Sequence, residues 1–188
     1  DSPDIPLNVS RSYLQADGNV KKISSHISKK VAEKLEQMYK NDKDEFIKKW
    51  DDLSIFIKYG MISDEKFYDR MSKVCQLKNT ESNYFTFEEY KAKIETLQTD
   101  KNKKLVYLYA NNIDEQYSYI KAAKDKGYDV LLMDGILDNH FIQTLEHKFT
   151  DAKFARIDSE TIEKLIEKDE VIPSKLSAEE TEKIKTLV

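Results

Sequence analysis

The fold class is clearest in residues 105–133, which read LVYLYANNIDEQYSYIKAAKDKGYDVLLM. Two short and nearly continuous apolar runs, at 105–109 and 129–133, flank a segment whose apolar residues recur at helical spacing and which ends near Gly127. Continuous apolar runs are typical of strands buried on both faces, and strands that alternate with helices are typical of parallel sheets. The stretch therefore predicts a strand, a crossover helix and a second, parallel strand.

The same alternation continues toward the C-terminus. Asp138 is expected to cap a helix whose apolar face carries Phe141 and Leu145, and residues 153–157 supply a third strand. Crossovers between parallel strands are right-handed in nearly all folds. We therefore predict the α/β class, with a small three-layer α/β/α module over residues 99–158 that is built on a short, mainly parallel three-stranded sheet.

Amphipathic helices are predicted upstream of this module. The first spans residues 18–41, the second spans 43–58 with Gly60 as its left-handed C-cap, and the third starts at Ser63. Residues 18–98 as a whole are predicted to form an amphipathic helical connector. The stripe that predicts the first helix consists of Val20, Ile23, Ile27, Val31, Leu35 and Met38.

Local capping signals divide the connector further. Asp42 lies in a short polar run, Asn41–Asp44, where a helix N-cap is expected. Residues 78–85 are expected to form a loop. Thr86 with Glu89 three residues later is a capping box, so a short helix is predicted to begin there.

The composition limits the classes of function. The chain has 188 residues, a formal net charge of −4, 39% hydrophobic and 35% charged residues. No run approaches the ~18 apolar residues that a membrane span needs, and the aromatic residues are not interleaved with a basic stripe, so neither a membrane nor a nucleic acid is an expected partner. The single cysteine, Cys75, cannot form an internal disulfide, which favours a reducing, cytoplasmic location.

The usual catalytic signatures are missing from the sequence. It has no glycine-rich phosphate-binding loop, no Gly-x-Ser-x-Gly elbow and no His-Glu-x-x-His motif. His26, His140 and His147 have no patterned ligands beside them, so no metal site is expected. An independent nucleotide enzyme is therefore disfavoured, and no cofactor is expected for this chain by itself.

Residues 1–17 carry one candidate catalytic side chain. Pro3 and Pro6 exclude a helix or strand interior, so Arg11 and Gln15 are expected to project from a loop that leads into the long first helix. An exposed arginine ordinarily packs over its neighbours, whereas a guanidinium held out to a phosphate stabilises the charge that develops in phosphoryl transfer. The residue pattern alone leaves both roles open.

The segment Asp4-Ile-Pro-Leu-Asn-Val-Ser-Arg11, followed by Leu14-Gln15 and a lysine-rich helix, resembles the catalytic loop in the middle domain of the ninety-kilodalton heat-shock protein (HSP90) chaperone family. The resemblance is strongest to the bacterial form, the high-temperature protein G (HtpG) type. Phe56-Ile-Lys-Tyr-Gly60 and the two strands at 106–109 and 128–132 follow in the order that this family shows. We expect the chain to be a piece of a longer protein, because it lacks an initiator Met and its last helix stops after about three turns.

The resemblance implies a division of labour. It identifies Arg11 as the residue that reaches the γ-phosphate of ATP, with Gln15 as a supporting polar residue, while ATP and magnesium are bound by an N-terminal domain absent from this chain. It places client-protein contacts at positions 139 and 140, which here are Asn139 and His140. It also implies a homodimer in the intact protein, no ATPase activity for this chain alone, and a linker with the first helix of a truncated C-terminal domain over residues 159–188.

Two positions depart from the pattern of the family. Ser12 stands where members often carry Glu after the loop arginine, and Tyr109-Ala110 stands where the strand usually ends in Thr-Gly. The first change removes one partner of a local ion pair. The second changes the turn that follows the strand.

Two other classes of function stay open at this stage. The chain could be a non-catalytic helical adaptor whose basic 18–41 helix docks an acidic protein partner, and such binding would weaken with salt. It could instead be a small-molecule enzyme that uses the carboxyl ends of the parallel strands near Asn111, Asn112 and Asp134, since open α/β sheets bind ligands there. No nucleophile or base accompanies those three residues.

Overall fold

The computed structural model describes residues 9–10, 13–14 and 18–168. The first elements are two short strands, β1 (Val9–Ser10) and β2 (Tyr13–Leu14), which pair in antiparallel fashion. Helix α1 (Gly18–Asn41) follows and has the extent that the apolar stripe predicts. The described part of the chain thus begins with one pair of short antiparallel strands and one long helix.

The predicted second helix is in fact two helices, α2 (Lys43–Lys48) and α3 (Trp50–Ser63). Asp42 is the N-cap of α2, as expected, and its carboxylate accepts a hydrogen bond from the Glu45 N–H at 2.9 Å. The break falls at Lys49. Its N–H donates a hydrogen bond to the Phe46 carbonyl at 3.1 Å, and this short-range bond ends α2. Neither glycine nor proline marks this break in the sequence.

The prediction that Gly60 is a left-handed C-cap is wrong, because α3 continues through Gly60 to Ser63. A Cβ atom at position 60 would lie 2.6 Å from the Phe67 ring, so glycine is needed here for close packing. The next helix, α4 (Glu65–Met71), is capped by Asp64 and not by Ser63. The Asp64 carboxylate accepts hydrogen bonds from the Lys66 and Phe67 N–H groups at 2.9 and 3.2 Å.

Residues 78–85, expected to be a loop, belong largely to a hairpin of β3 (Leu77–Lys78) and β4 (Tyr84–Phe85). The Asn79 side-chain oxygen holds the turn by accepting from two backbone N–H groups, and this local bonding replaces the loop that the polar sequence indicated. The capping box of Thr86 is confirmed and starts α5 (Phe87–Gln98).

The α/β prediction is confirmed. Strands β5 (Leu105–Ala110), β6 (Val130–Leu132) and β7 (Ala152–Arg156) form a parallel sheet in the order β6-β5-β7. The remaining helices are α6 (Tyr117–Asp125) between β5 and β6, α7 (Asp138–Lys148) between β6 and β7, and the short α8 (Ile162–Leu165).

Side chains of β5 alternate between two cores. Val106, Leu108 and Ala110 belong to a core with α6 and α8, whereas Leu105 and Tyr107 belong to a larger core on the opposite face. The larger core runs without interruption from Ala32 of α1 through the helices to α7. Helices α1 to α5 and α7 therefore share the larger core with one face of the sheet, and this core holds the start of α7 against α3.

Candidate functional site

The two residues predicted to contact clients lie at the exposed start of α7. Asn139 and His140 directly follow Asp138, and both have exposed side chains. Ile136, in the turn before the helix, is 83% exposed, which is unusual for a large aliphatic side chain. The structure thus presents apolar and polar side chains to solvent within one short stretch of chain.

Asp138 fixes this end of the helix. Its carboxylate accepts a hydrogen bond from the Lys58 ammonium at 2.5 Å and another from the Gly135 N–H at 2.9 Å. The Asp138 side chain is only 3% exposed and that of Lys58 15%. The prediction that Asp138 caps α7 is wrong, because the N-cap is Leu137 and the Asp138 carboxylate is held by Lys58 and by the turn before the helix.

Lys58 is the residue of this candidate site that sequence reasoning missed. It lies on α3, and its ammonium nitrogen is 5.6 Å from the centre of the Phe141 ring as well as being bonded to Asp138. A cation over an aromatic face gains further electrostatic stabilisation. The signal was present in the sequence, since Lys58 is the one charged residue in Phe56-Ile-Lys-Tyr-Gly60, but its partner is 80 residues away.

A cleft of about 410 Å³ lies between α3 and the turn that precedes α7. At its rim, the Lys78 ammonium and the Tyr84 hydroxyl both donate hydrogen bonds to the Asp51 carboxylate, at 2.9 and 3.0 Å. The hydrogen bond to Asp51 raises the pKa of Lys78. Burial by itself would raise the pKa of Asp51, but the hydrogen bonds from Lys78 and Tyr84 outweigh it, so the pKa of Asp51 is lowered. The residues that line the cleft include Trp50, Ile55, Lys58, Gln76, Asp134 and Asp138.

The three residues proposed for a small-molecule enzyme have separate roles. The backbone N–H groups of Asn111 and Asn112 donate to the Gln116 side-chain oxygen at 2.9 and 3.0 Å. The Asn112 side chain accepts from the Asp114 N–H and so closes its own turn. Asp134 instead lines the cleft beside α3. In the structure Asn111 and Asn112 thus belong to the turn at the end of β5, whereas Asp134 belongs to the cleft lining.

The interpretation of Cys75 as a packing residue is confirmed. Its side chain is fully buried, and burial raises the pKa of the thiol to about 12. Across residues 9–10, 13–14 and 18–168, no three His, Cys, Asp or Glu side chains converge in a way that could hold a metal ion. No helix among these residues is both long and apolar enough to cross a membrane.

Arg11 and Gln15 lie outside the described residues. The structure describes their neighbours in the sequence, namely β1 before Arg11, β2 between the two residues, and α1 after Gln15. Both side chains therefore keep the roles that the sequence resemblance implies as predictions.

Comparison with known proteins covers the whole chain. The profile of the family described as Hsp90 protein matches residues 1–188. The chaperone protein HtpG of Bacteroides fragilis strain YCH46 is 54% identical over 182 residues, which is 97% of this chain and 27% of that protein. HtpG of Porphyromonas gingivalis strain W83 is 54% identical over 177 residues, or 94% of this chain and 26% of that protein. The chain thus spans only about a quarter of the length of these relatives.

The fold has a counterpart among solved structures. The middle domain of a Plasmodium falciparum heat shock protein superposes with a TM-score of 0.59, at 13% sequence identity, over 77% of this chain and 61% of that domain. At so low an identity the likeness concerns the fold alone, whereas the family is shown by the sequence match. The chain belongs to the Hsp90 family and is of the bacterial HtpG type.

Proposed function

We propose that this chain forms part of the middle domain of an ATP-dependent molecular chaperone that assists the folding or remodelling of client proteins. The observation that carries the proposal is the family match over all 188 residues, which includes the segment with Arg11. In the intact protein, we place ATP and magnesium in an N-terminal domain, homodimerisation in a C-terminal domain, and the whole in the cytoplasm. By itself the chain neither binds nor hydrolyses ATP.

In this proposal Arg11 and Gln15 are the catalytic residues of the chain, and Arg11 supplies the charged group. A guanidinium is planar and always charged, so it can donate two hydrogen bonds to phosphate oxygens and stabilise the charge that develops on them. Gln15 supports the same loop as an uncharged polar residue. ATP hydrolysis is thereby coupled to the approach of the N-terminal domain to residues 1–17.

The test is ATP turnover by the full-length protein that contains this chain. Arg11→Ala should lower turnover at saturating ATP and leave ATP affinity nearly unchanged, because the base and sugar are held elsewhere. Arg70→Ala is the matched control, since Arg70 is a surface arginine with only long ion pairs of 3.8–4.0 Å to Glu36 and Glu33. Equal turnover in the Arg11 variant and the control would remove Arg11 from the mechanism.

The start of α7 is the proposed client-contact surface. Asn139 and His140 are exposed beside Ile136, and the buried pair of Lys58 and Asp138 holds them on a rigid base. A surface with an exposed aliphatic side chain and neighbouring hydrogen-bonding groups suits partly unfolded chains, which offer both apolar side chains and free backbone groups.

A further inference from the structure

The apolar stripe of α1 is covered along only part of its length. In the second half, Leu35 and Met38 pack against the core and Ala32 is fully buried. In the middle of the stripe, Ile27 and Val31 are 55% and 46% exposed, whereas Ile23 before them is partly buried. A helix stripe that is apolar but uncovered has a free face for another element.

A groove of about 640 Å³ runs beside this uncovered stripe, between α1, α3 and α4. Its far side carries Phe56 and Tyr59, which are 74% and 64% exposed. Four large apolar side chains, Ile27, Val31, Phe56 and Tyr59, therefore line one groove while remaining open to solvent. A grouped apolar patch of this kind marks an interaction site, whereas single exposed side chains do not.

Beside the groove, α1 presents the exposed lysines Lys30 and Lys34. Ile27, Lys30, Val31 and Lys34 stand at positions i, i+3, i+4 and i+7, so they share one face of the helix. Lys30 bonds Glu33 at 2.9 Å, but Lys34 has no ion pair within the described part of the chain. A partner lying over Ile27 and Val31 would therefore meet ammonium groups beside them.

The two carboxylates that line the groove already accept hydrogen bonds. The Asp64 carboxylate caps α4, and Glu65 accepts a hydrogen bond from Lys148 at 2.7 Å. The hydrogen bond from Lys148 lowers the pKa of Glu65, which is the sign of a satisfied carboxylate. The groove lining carries these two engaged carboxylates and no basic side chain, and the basic groups beside it are Lys30 and Lys34 on the edge of α1. Among the described residues, Lys34 is the one of these two lysines without an ion pair.

We propose that this α1–α3 groove binds an acidic amphipathic helix of a partner protein. Apolar side chains spaced i, i+3 or i+4, and i+7 on that helix would enter between Ile27 and Phe56, as in other helix-in-groove complexes. Its carboxylates would meet Lys30 and Lys34, which supply orientation and a faster association. This function is independent of Arg11 and does not depend on ATP.

The test uses a fluorescein-labelled peptide of about 16 residues, long enough to form a helix on binding, with leucines at i, i+3, i+4 and i+7 and glutamates between them. A matched peptide has lysine in place of each glutamate. Fluorescence anisotropy with the full chain should show saturable binding of the acidic peptide, weaker binding at high salt, and far weaker binding of the basic peptide.

Two variants and one control locate the site. Phe56→Ser should weaken binding at least about tenfold because it removes an apolar anchor, and Lys30→Glu with Lys34→Glu should do the same because attraction becomes repulsion. Lys22→Glu with Lys40→Glu makes the same charge change on the same helix, but each of these positions lies nine residues from Val31 and therefore on the opposite side of α1. This control should bind almost as the parent does.

Several results would overturn the proposal. These are equal affinity for the acidic and basic peptides, no saturable binding of the acidic peptide, or equal loss in the control and the groove variant. Sedimentation that shows a dimer dissociated by Phe56→Ser would assign the groove to a second copy of the chain. Co-sedimentation with phosphatidylglycerol vesicles without binding of the acidic peptide would assign it to a lipid surface.

Discussion

The Lys58 ammonium lies 2.5 Å from the Asp138 carboxylate, and this pair joins the helical part of the chain to the start of α7. The two residues are 80 positions apart, and both side chains are largely buried. The exposed residues 139 and 140 thus stand on a base that is fixed to α3.

Replacing one member of the pair should destabilise the fold strongly. Lys58→Met leaves the Asp138 carboxylate buried without its cation, which costs about 3–5 kcal/mol of unfolding free energy. Urea unfolding followed by circular dichroism measures this change. The control is Lys124→Met, which breaks an exposed pair with Glu81 at 2.9 Å and should cost only about 0–1 kcal/mol. Similar losses in both variants would show that the buried pair has no special weight.

The contacts of Glu89 at the N-terminal end of α5 should make the free energy of unfolding depend on pH. A hydrogen bond from Lys43, followed by one from the Thr86 N–H, lowers the pKa of Glu89 below its ordinary value of 4.5. Because the folded-state pKa is the lower one, the charge of Glu89 contributes stability above pH 4.5, and this contribution is lost as the pH falls through the folded-state pKa.

The variant Glu89→Gln should therefore differ most from the parent near neutral pH and least in acid. Urea unfolding at a series of pH values measures the difference, with the neighbouring Glu88→Gln as control. A difference that stays constant from neutral pH into acid would contradict the expected loss of the Lys43 contact.

Cys75 should be protected from alkylation in the folded chain. Burial raises the pKa of its thiol from 9.0 to about 12, so the thiolate fraction falls about a thousandfold, and access is blocked as well. Iodoacetamide at mildly alkaline pH should label the unfolded chain in urea quickly and the native chain hardly at all, as read by mass spectrometry. Rapid stoichiometric labelling of native protein would mean that the core around Cys75 opens readily.

Client contact should be separable from ATP turnover. In the full-length protein, Asn139→Ala with His140→Ala should weaken the suppression of aggregation of an unfolded client, because these exposed groups are lost while the pair beneath them stays intact. ATP turnover without client should be unchanged. Gln143→Ala, an exposed change one turn further along α7, is the control. If the double variant protects clients as well as the control does, the contact surface lies elsewhere.

Local sequence signals predicted local structure well. The apolar runs at 105–109 and 129–133 predicted the parallel strands, and Thr86 with Glu89 predicted the start of α5. Each of these signals is complete within a few neighbouring residues.

Features that depend on side chains of another element were not predictable in the same way. The Asp138 carboxylate looked like a helix cap because Lys58, which holds it, is remote in sequence. The role of Gly60 follows from the Phe67 ring packed against it, and glycine near a helix end otherwise indicates a C-cap. The same limit applies to the groove beside Ile27, since the stripe pattern of α1 does not say which of its residues are covered.

The central claim is tested most directly by the rate of ATP hydrolysis of full-length protein carrying Arg11→Ala, measured at saturating ATP alongside the dissociation constant for ATP. We expect the rate to fall by at least about tenfold, since arginine fingers contribute ~10³-fold or more to the rate in other systems. The dissociation constant for ATP should stay nearly unchanged. A rate equal to that of the parent protein would contradict the proposed role of Arg11 in ATP turnover.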